Sequence, residues 1–318
     1  MPDREFASAI RKVFWGPNGL RAGWRFVSYV VLSVLFGFVI SAGLYRVPLV
    51  ARILSNHIQD VLTAPFALII FSVVFLADVV SALVMSRIER RPFGKYGIPP
   101  AGAFGKLFWQ GALGGIVAMS AVMLTIYAGG GFSLHGFALS GFAAIKSAVL
   151  WTLACLLNGL AEEFRYRGYS QFTLTTGIGF WPSAFALSTL FGAKHLLDNP
   201  GESWLGALAV LVFALFACFT LRRTGNLWFA IGWHAAWDFA QSFIFSVSNS
   251  GLRPTASLLK STVHGPSWLT GGAVGPEGSL LTFVWLGLSF LLVDKLYPSK
   301  NNFPADSSAT FSEAGARL

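Results

Sequence analysis

Long apolar runs determine the fold class of this chain. The first, residues 26–45, contains no charged side chain, and a helix needs about 20 apolar residues to cross the hydrocarbon core of a membrane. Because lipid offers backbone groups no hydrogen-bond partners, such runs predict α-helices. The chain is therefore expected to be all-α, a polytopic membrane bundle of eight transmembrane helices. The predicted spans are residues 26–45, 61–86, 107–127, 146–162, 180–195, 203–221, 226–246 and 278–293.

The composition agrees with a membrane protein and excludes several other classes. Hydrophobic residues make up 54% of the 318 residues and charged residues only 12%, about half the charge of an average soluble domain. The formal net charge of +9 comes mostly from Lys and Arg in short segments between spans. Short basic loops mark the cytoplasmic side, so both termini are expected there. The lipid bilayer is then the expected partner, with no role for nucleic acid.

The spans also divide the chain. We expect a cytoplasmic N-terminal segment (1–25), accessory helices 1–3 (26–140) and a transmembrane core of helices 4–7 (141–248). An outer loop and helix 8 (249–298) and a disordered cytoplasmic tail (299–318) complete it. Cys155 and Cys218 fall inside spans, which favours packing over a disulfide. The short basic loops indicate a bacterial inner membrane.

Four acidic residues lie within spans, where an ionised group costs several kcal/mol unless it is paired or hydrated. Asp78 is expected to hydrogen-bond within the bundle. Glu163 and Arg167 are four residues apart and can form an ion pair on one helix face. Glu162 points about 100° away. An unpaired carboxylate in a low-dielectric cavity suits a general base. The four residues are Asp78, Glu162, Glu163 and Asp238.

Two histidines accompany these carboxylates. A helical hairpin that turns near Ile178 would bring Glu162 and His195 to the same level. His234 and Asp238 are four residues apart and share a helix face. We expect one layer of Glu, His, His and Asp, nearer the cytoplasmic side. Asn158 lies four residues before Glu162, and Phe191 lies four residues before His195. Both are expected to support this layer.

This set of groups can activate water in two ways. In one, His195, His234 and a carboxylate hold zinc and Glu162 acts as base. In the other, Glu162 and His195 take the proton from water while His234 and Asp238 stabilise the oxyanion. The sequence contains no His-Glu-x-x-His, Gly-x-Ser-Gly or Gly-x-Gly-Asp.

Three motifs follow in order within the spans: Glu162-Glu163-x-x-x-Arg167, Phe191-x-x-x-His195 and His234-x-x-x-Asp238. Together they resemble the CAAX protease and bacteriocin-processing family, which includes the type II CAAX prenyl endopeptidases. The resemblance covers about residues 146–245. Many members have Asn where this chain has Asp238.

The resemblance implies an intramembrane endopeptidase that cuts a membrane-associated peptide or protein near the cytoplasmic face. Glu162 would activate water with the help of His195, and His234 and Asp238 would bind the oxyanion or a metal. In the metal form His195, His234 and Asp238 would be the ligands. Glu163 and Arg167 would hold the helix and orient the substrate.

Two other functions stay open on the sequence alone. The fold can serve as an inactive scaffold or a bacteriocin-immunity protein, and intramembrane Glu, Asp and His can also form a proton relay. Two glycine-containing segments have structural interpretations. Gly111 and Gly115 predict close helix packing, and the Gly-Pro-Glu-Gly at residues 275–278 predicts a helix start.

Overall fold

The computed structural model describes residues 13–16, 19–199 and 201–298. Helices dominate, and six short strands lie in the connecting segments. The strands are β1 (Trp15–Gly16), β2 (Gly19–Leu20), β3 (Val61–Leu62), β4 (Phe132–Phe137), β5 (Arg253–Pro254) and β6 (Leu259–Val263). The expected disordered tail, residues 299–318, lies outside the described residues.

Ten helices form the bundle. They are α1 (Ala22–Leu44), α2 (Pro48–Ser55), α3 (Ala64–Ile88), α4 (Lys106–Ala128), α5 (Gly141–Arg167), α6 (Tyr169–Ile178), α7 (Phe180–Asp198), α8 (Trp204–Thr224), α9 (Trp228–Phe239) and α10 (Leu280–Leu296). A π-helical turn, Ala240–Ile244, continues α9, and Ser267–Thr270 forms one further helical turn.

Local sequence signals set several helix boundaries. The Thr63 hydroxyl caps α3 by accepting from the Phe66 N–H, and the Ser203 hydroxyl caps α8 by accepting from the Gly206 N–H. Such caps satisfy N–H groups that the first helical turn leaves without partners. Gly179, at a positive φ of 85°, separates α6 from α7. The hairpin expected near Ile178 therefore turns there.

Five helical segments are long and apolar enough to cross a membrane: Ala22–Leu44, Ala64–Ile88, Lys106–Ala128, Gly141–Ile178 and Trp204–Thr224. These confirm five of the expected spans. The other three expected spans coincide with α7, α9 and α10, which do not reach the length and hydropathy of these five segments. The α-helical part of α9 has only 12 residues. The count of eight spans and the orientation stay predictions.

Other parts of the protein surround helix α9 on all sides. Every residue from Trp228 to Asp238 is buried. It packs against α4 so closely that a methyl group on Gly111 or Gly115 would collide with the backbone of Phe229 or Trp233. The expectation of close packing at these two glycines is confirmed. The contact fixes α9, and with it His234, against a long membrane-spanning helix.

Other buried polar groups are paired within the bundle. Asp78 of α3 is fully buried, and its Oδ2 lies 2.8 Å from Nε of Arg165 on α5. This ion pair joins two helices and confirms the bundle role expected for Asp78. Cys155 and Cys218 are free and buried, as expected for packing residues.

The connecting segments gather at two ends of the bundle. At one end, strand pairs join β3 to β5 and β4 to β6, and Gly201 packs against Gly251. We call this the strand end, defined by residues 45–63, 129–140, 199, 201–203 and 245–279. At the other, Arg25 bonds both Glu89 and Thr176, and the Leu227 N–H donates to the Gly97 carbonyl. We call this the Glu89 end, defined by residues 89–105, 168–179 and 225–227.

Candidate active site

One cavity of about 200 Å³ brings together the chemical groups singled out in the sequence. Six helices (α3, α5, α7, α8, α9 and α10) and three connecting segments line it. Of the site residues expected from the sequence, six line the cavity: Asn158, Glu162, Phe191, His195, His234 and Asp238. Glu163 and Arg167 lie behind its wall, fully buried. Their functional roles stay predictions, but the arrangement gives each a defined set of contacts.

Helix α5 separates the two adjacent glutamates. Glu162 shares a face with Asn158, four residues earlier, and both reach the cavity. The Glu162 side chain is 21% exposed. The next residue along the helix points about 100° away, so the Glu163 side chain enters the protein interior instead. One carboxylate is accessible to a ligand and the other is not.

Glu163 has two partners in the interior. Its Oε1 lies 3.4 Å from Nη1 of Arg167 and 2.8 Å from Nδ1 of His234. The ion pair with Arg167 agrees with the sequence expectation. The bond to His234 was not expected, and it links the first motif to the third. A carboxylate behind a histidine in this way fixes the orientation of the ring.

His234 presents its other nitrogen to the cavity. Its Nε2 lies 3.7 Å from Oε2 of Glu162 and 3.6 Å from Oδ2 of Asp238. The ring edge packs on Phe213, with centroids 5.0 Å apart. The imidazole is thus held between three carboxylates, which stabilise a positive charge on it.

Asp238 accepts two amide hydrogen bonds. Asn158 Nδ2 donates to Oδ2 at 2.6 Å, and Asn249 Nδ2 donates to Oδ1 at 3.3 Å. Asn158 therefore contacts Asp238 directly, and its supporting role stays a prediction. Sequence reasoning missed Asn249, which lies in the loop after α9. An Asn in a Ser- and Gly-rich loop carries no signal that would have distinguished it.

His195 lies near the end of α7, in the same cavity. Its Nδ1 is 2.9 Å from the carbonyl oxygen of Phe191. A carbonyl only accepts, so Nδ1 donates and Nε2 of the neutral ring is left as an acceptor. The Phe191 ring also packs on the His195 ring and on the Arg167 guanidinium. Phe191 therefore contacts His195 through its ring and its carbonyl, and its supporting role stays a prediction.

Glu277 is a further carboxylate in the cavity wall. Its Oε1 accepts hydrogen bonds from the Ser250 N–H and from Nε2 of Gln241. Burial raises the pKa of Glu277 to about 8, with the charge of Glu202 acting in the same direction. Pro276 begins a 3₁₀ turn, Pro276–Gly278, directly before α10, as the expected helix start requires. The sequence did not predict that Glu277 also lines the cavity. The Ser279 hydroxyl caps α10, and Glu277 turns inward to hold the loop that carries Asn249.

The described residues do not fit the expected zinc site. In residues 13–16, 19–199 and 201–298, no three His, Cys, Asp or Glu side chains are arranged to hold a metal ion. Both oxygens of Asp238 already accept from amides. Zinc at His195, His234 and Asp238 stays a prediction that this geometry does not favour.

Comparison with known proteins supplies an independent view of the site. Residues 144–240 match the family model for type II CAAX prenyl endopeptidase Rce1-like proteins. This match supports membership of the CAAX protease and bacteriocin-processing family, which the sequence motifs resemble. The match spans about a third of the chain. It includes both motif glutamates, both histidines and Asp238, whereas Asn249 and Glu277 lie beyond it. Comparisons with curated proteins and with solved structures found no match.

Proposed function

We propose that the protein is an intramembrane endopeptidase in which Glu162 activates the attacking water. The observation that carries the proposal is the contrast between the two glutamates. Glu163 is paired with Arg167 and His234, whereas Glu162 lines the cavity, 3.7 Å from His234, and His195 lines the same cavity. A general base has to reach the proton that it removes, and Glu162 is the motif glutamate placed to do so.

The reaction follows from these positions. Glu162 takes a proton from water as the oxygen attacks the carbonyl carbon of the peptide bond. His195 accepts a second hydrogen bond from that water through Nε2. His234, protonated between its carboxylates, donates from Nε2 to the oxyanion that forms. The C–N bond then breaks as Glu162 returns its proton to the leaving nitrogen, which yields a carboxylic acid and an amine.

The remaining residues hold this machinery in place. Glu163 fixes the His234 ring through Nδ1, and Asp238 lies beside Nε2. Asn158 and Asn249 orient Asp238 from two sides. Groups that hold a catalytic side chain within a fraction of an ångström of its working position matter because small displacements cost large factors in rate.

The expected substrate is a membrane-associated peptide or protein, either a CAAX-type C-terminus or a bacteriocin-like peptide. The host membrane is proposed to be a bacterial inner membrane. Support comes from the apolar helices and from the family to which residues 144–240 belong.

The test uses the full chain purified in detergent with a peptide library that includes prenylated C-terminal peptides. Products are identified by mass spectrometry for wild type, Glu162→Gln and a control, Asp294→Asn, at an exposed position outside the cavity. Cleavage by wild type and the control but not by Glu162→Gln is expected. Equal cleavage by all three, or none by wild type, would contradict the proposal and favour a scaffold.

Metal content of the same samples separates the two ways of activating water. We expect wild type to retain activity after dialysis against a chelator, since the described donors are not arranged for a metal. One equivalent of bound metal that is lost together with activity in His234→Ala would establish the metal-dependent route instead.

A further inference from the structure

Glu277 belongs to a buried polar network beside the cavity that takes no part in the proposed reaction steps. Its Oε1 accepts hydrogen bonds from the Ser250 N–H and, at 3.3 Å, from Nε2 of Gln241. The same Nε2 donates to the Ser248 carbonyl oxygen at 2.6 Å. Glu277, Gln241 and Ser250 are all buried. One carboxyl group therefore joins the segment before α10 to residues 245–252, which we call the Asn249 loop.

Gln241 connects this network to the helix that carries Asp238. It lies in the π-helical turn Ala240–Ile244, which begins two residues after Asp238. Turns of this kind are frequent at functional sites. The Gln241 carbonyl oxygen also accepts from the Val247 N–H at 3.2 Å. The backbone and the side chain of one residue thus hold the start of the Asn249 loop.

Asn249 contacts Asp238 from the middle of this loop. Its Nδ2 donates to Oδ1 of Asp238 at 3.3 Å and to Oγ of Ser242 at 3.2 Å. Both distances are at the long end of the range for such bonds, so a small displacement of the loop breaks them. The backbone N–H and carbonyl of Asn249 pair with Leu252, inside the same loop. These two backbone bonds therefore do not fix the loop to the rest of the protein.

The next residue, Ser250, has a backbone conformation that needs support from outside the loop. Its φ is +47°, in the left-handed region that non-glycine residues adopt rarely and at a cost in free energy. Glu277 accepts the N–H of Ser250, and the Val274 carbonyl oxygen accepts the N–H of Gly251 at 2.9 Å. Gly251 tolerates its own positive φ of 81°. Glu277 therefore supplies the side-chain acceptor that holds the strained residue beside Asn249.

Joining these contacts, we propose that Glu277 is a positioning residue for peptide hydrolysis that acts on Asp238 through the Asn249 loop. Asp238 Oδ2 lies 3.6 Å from Nε2 of His234, the nitrogen that would donate to the oxyanion. When Glu277 is removed, the loop relaxes and Asp238 loses one of its two amide donors. The proposal rests on the proposed peptidase function, whereas its statement about the loop does not require activity.

Steady-state kinetics of the full chain in detergent, with one identified peptide, test the positioning role. Glu277→Ala should lower kcat about 10- to 100-fold, since displacements of about 1 Å cost about 100-fold in rate. KM should stay unchanged, which is the pattern for an interaction made only in the transition state. Glu277→Gln should restore kcat to near the wild-type value, because an amide oxygen can still accept the Ser250 N–H.

Ser279→Ala is the matched control for a loss of stability alone. Ser279 lies two residues from Glu277, is buried, and caps α10 by accepting from the Leu281 N–H. Loss of such a cap costs about 0.5–2 kcal/mol, so the unfolding temperature should fall while kcat stays unchanged. An unchanged kcat in Glu277→Ala, or an equal fall of kcat in Ser279→Ala, would overturn the proposal.

A double-mutant cycle tests whether the effect passes through the loop. Asn249→Ala removes the amide that contacts Asp238 and should also lower kcat. The double variant of Glu277→Ala and Asn249→Ala should be no slower than the slower single variant, because both changes break one chain of contacts. Two falls in kcat that multiply would show independent action and overturn the route through Asn249.

Hydrogen exchange measured by mass spectrometry keeps this proposal separate from the proposed function. Amides of residues 245–252 should exchange faster in Glu277→Ala than in wild type or Ser279→Ala, because a loop that loses its hold opens more often. Faster exchange without any cleavage by wild type would support the hold on the loop and contradict the peptidase. Cleavage by wild type with unchanged exchange in Glu277→Ala would keep the peptidase and overturn the positioning role.

Discussion

His234 joins the motifs of the site through its two ring nitrogens. Nδ1 faces Glu163, and Nε2 faces Glu162 and Asp238. Because Glu163 is itself paired with Arg167, the position of the ring depends on an ion pair that never touches the cavity. Adjacent glutamates on one helix thus have different roles, one toward the substrate and one toward the histidine.

We expect Glu163→Gln to destabilise the protein. The substitution leaves the Arg167 guanidinium charged and buried, and breaking a buried pair by removing one partner costs about 3–5 kcal/mol. Glu162→Gln, at a partly exposed position, should change the stability by less than about 1 kcal/mol. Thermal unfolding of both variants in the same detergent measures the difference. Equal unfolding temperatures for the two variants would contradict the assigned roles.

The raised pKa of Glu277 predicts that the stability of the protein depends on pH. Its pKa in the folded protein is raised by burial from 4.5 to about 8, so the folded state holds this proton more tightly than the unfolded chain does. The resulting stabilisation is complete below about pH 4.5 and is lost as the pH rises toward 8. Glu277→Gln keeps an acceptor for Ser250 and removes the titrating group.

Between pH 6 and pH 8.5, the unfolding temperature of wild type should therefore fall more than that of Glu277→Gln. The free energy of unfolding should decrease by at least about 1 kcal/mol more in wild type than in the variant. Glu202, whose pKa is also raised by burial, remains in both proteins and contributes equally. Parallel pH profiles for wild type and the variant would show that Glu277 does not carry this dependence.

Helices α4 and α9 form the closest helix contact near the site. A Cβ atom added at Gly115 would overlap the Trp233 carbonyl oxygen, one residue before His234. The backbones therefore approach without side chains between them. Any separation of these two helices also moves His234 away from Glu162.

Gly115→Ala should lower both stability and activity, since overpacking of this kind costs about 1–3 kcal/mol. Gly287→Ala in α10 is the matched control, because a methyl group added there would have no other atom within 4 Å. The control should be neutral or slightly stabilising. Unfolding temperature and peptide cleavage are measured for both. A Gly115→Ala variant as stable as Gly287→Ala would contradict the close approach.

Much of the helical framework was predictable, because hydropathy reports directly on helices that contact lipid. The turn near Ile178, the Glu163–Arg167 pair and the sharing of one cavity by Glu162 and His195 all follow from helical spacing. Asn158 lines the same cavity as Glu162, which the four-residue spacing also predicts. These features depend on local geometry within one helix or one hairpin.

Contacts between distant segments were not predictable in the same way. Asn249 reaches Asp238 only because Glu277, 28 residues further along the chain, holds the intervening loop at Ser250. The Glu163–His234 bond depends on how α5 packs against α9. The depth of His234 likewise depends on packing against α4, where Gly115 lies nine residues from the Glu89 end and thirteen from the strand end. The expected position of the layer nearer the cytoplasmic side stays a prediction.

Over the whole molecule, charge is scarce and its location is informative. Basic residues collect at the Glu89 end, while most carboxylates in the interior are paired or lie in the cavity wall. The five apolar helical segments make this an integral membrane protein. An orientation with the Glu89 end in the cytoplasm accounts for the distribution of basic residues.

The most direct test compares kcat/KM for one identified peptide between wild type and Glu162→Gln in one detergent, together with their unfolding temperatures. Loss of a general base typically costs about 10²–10⁴ in rate. We predict a fall of at least about 100-fold with unchanged unfolding. Cleavage by Glu162→Gln at the wild-type rate, or a loss of activity that only follows loss of the fold, would contradict water activation by Glu162.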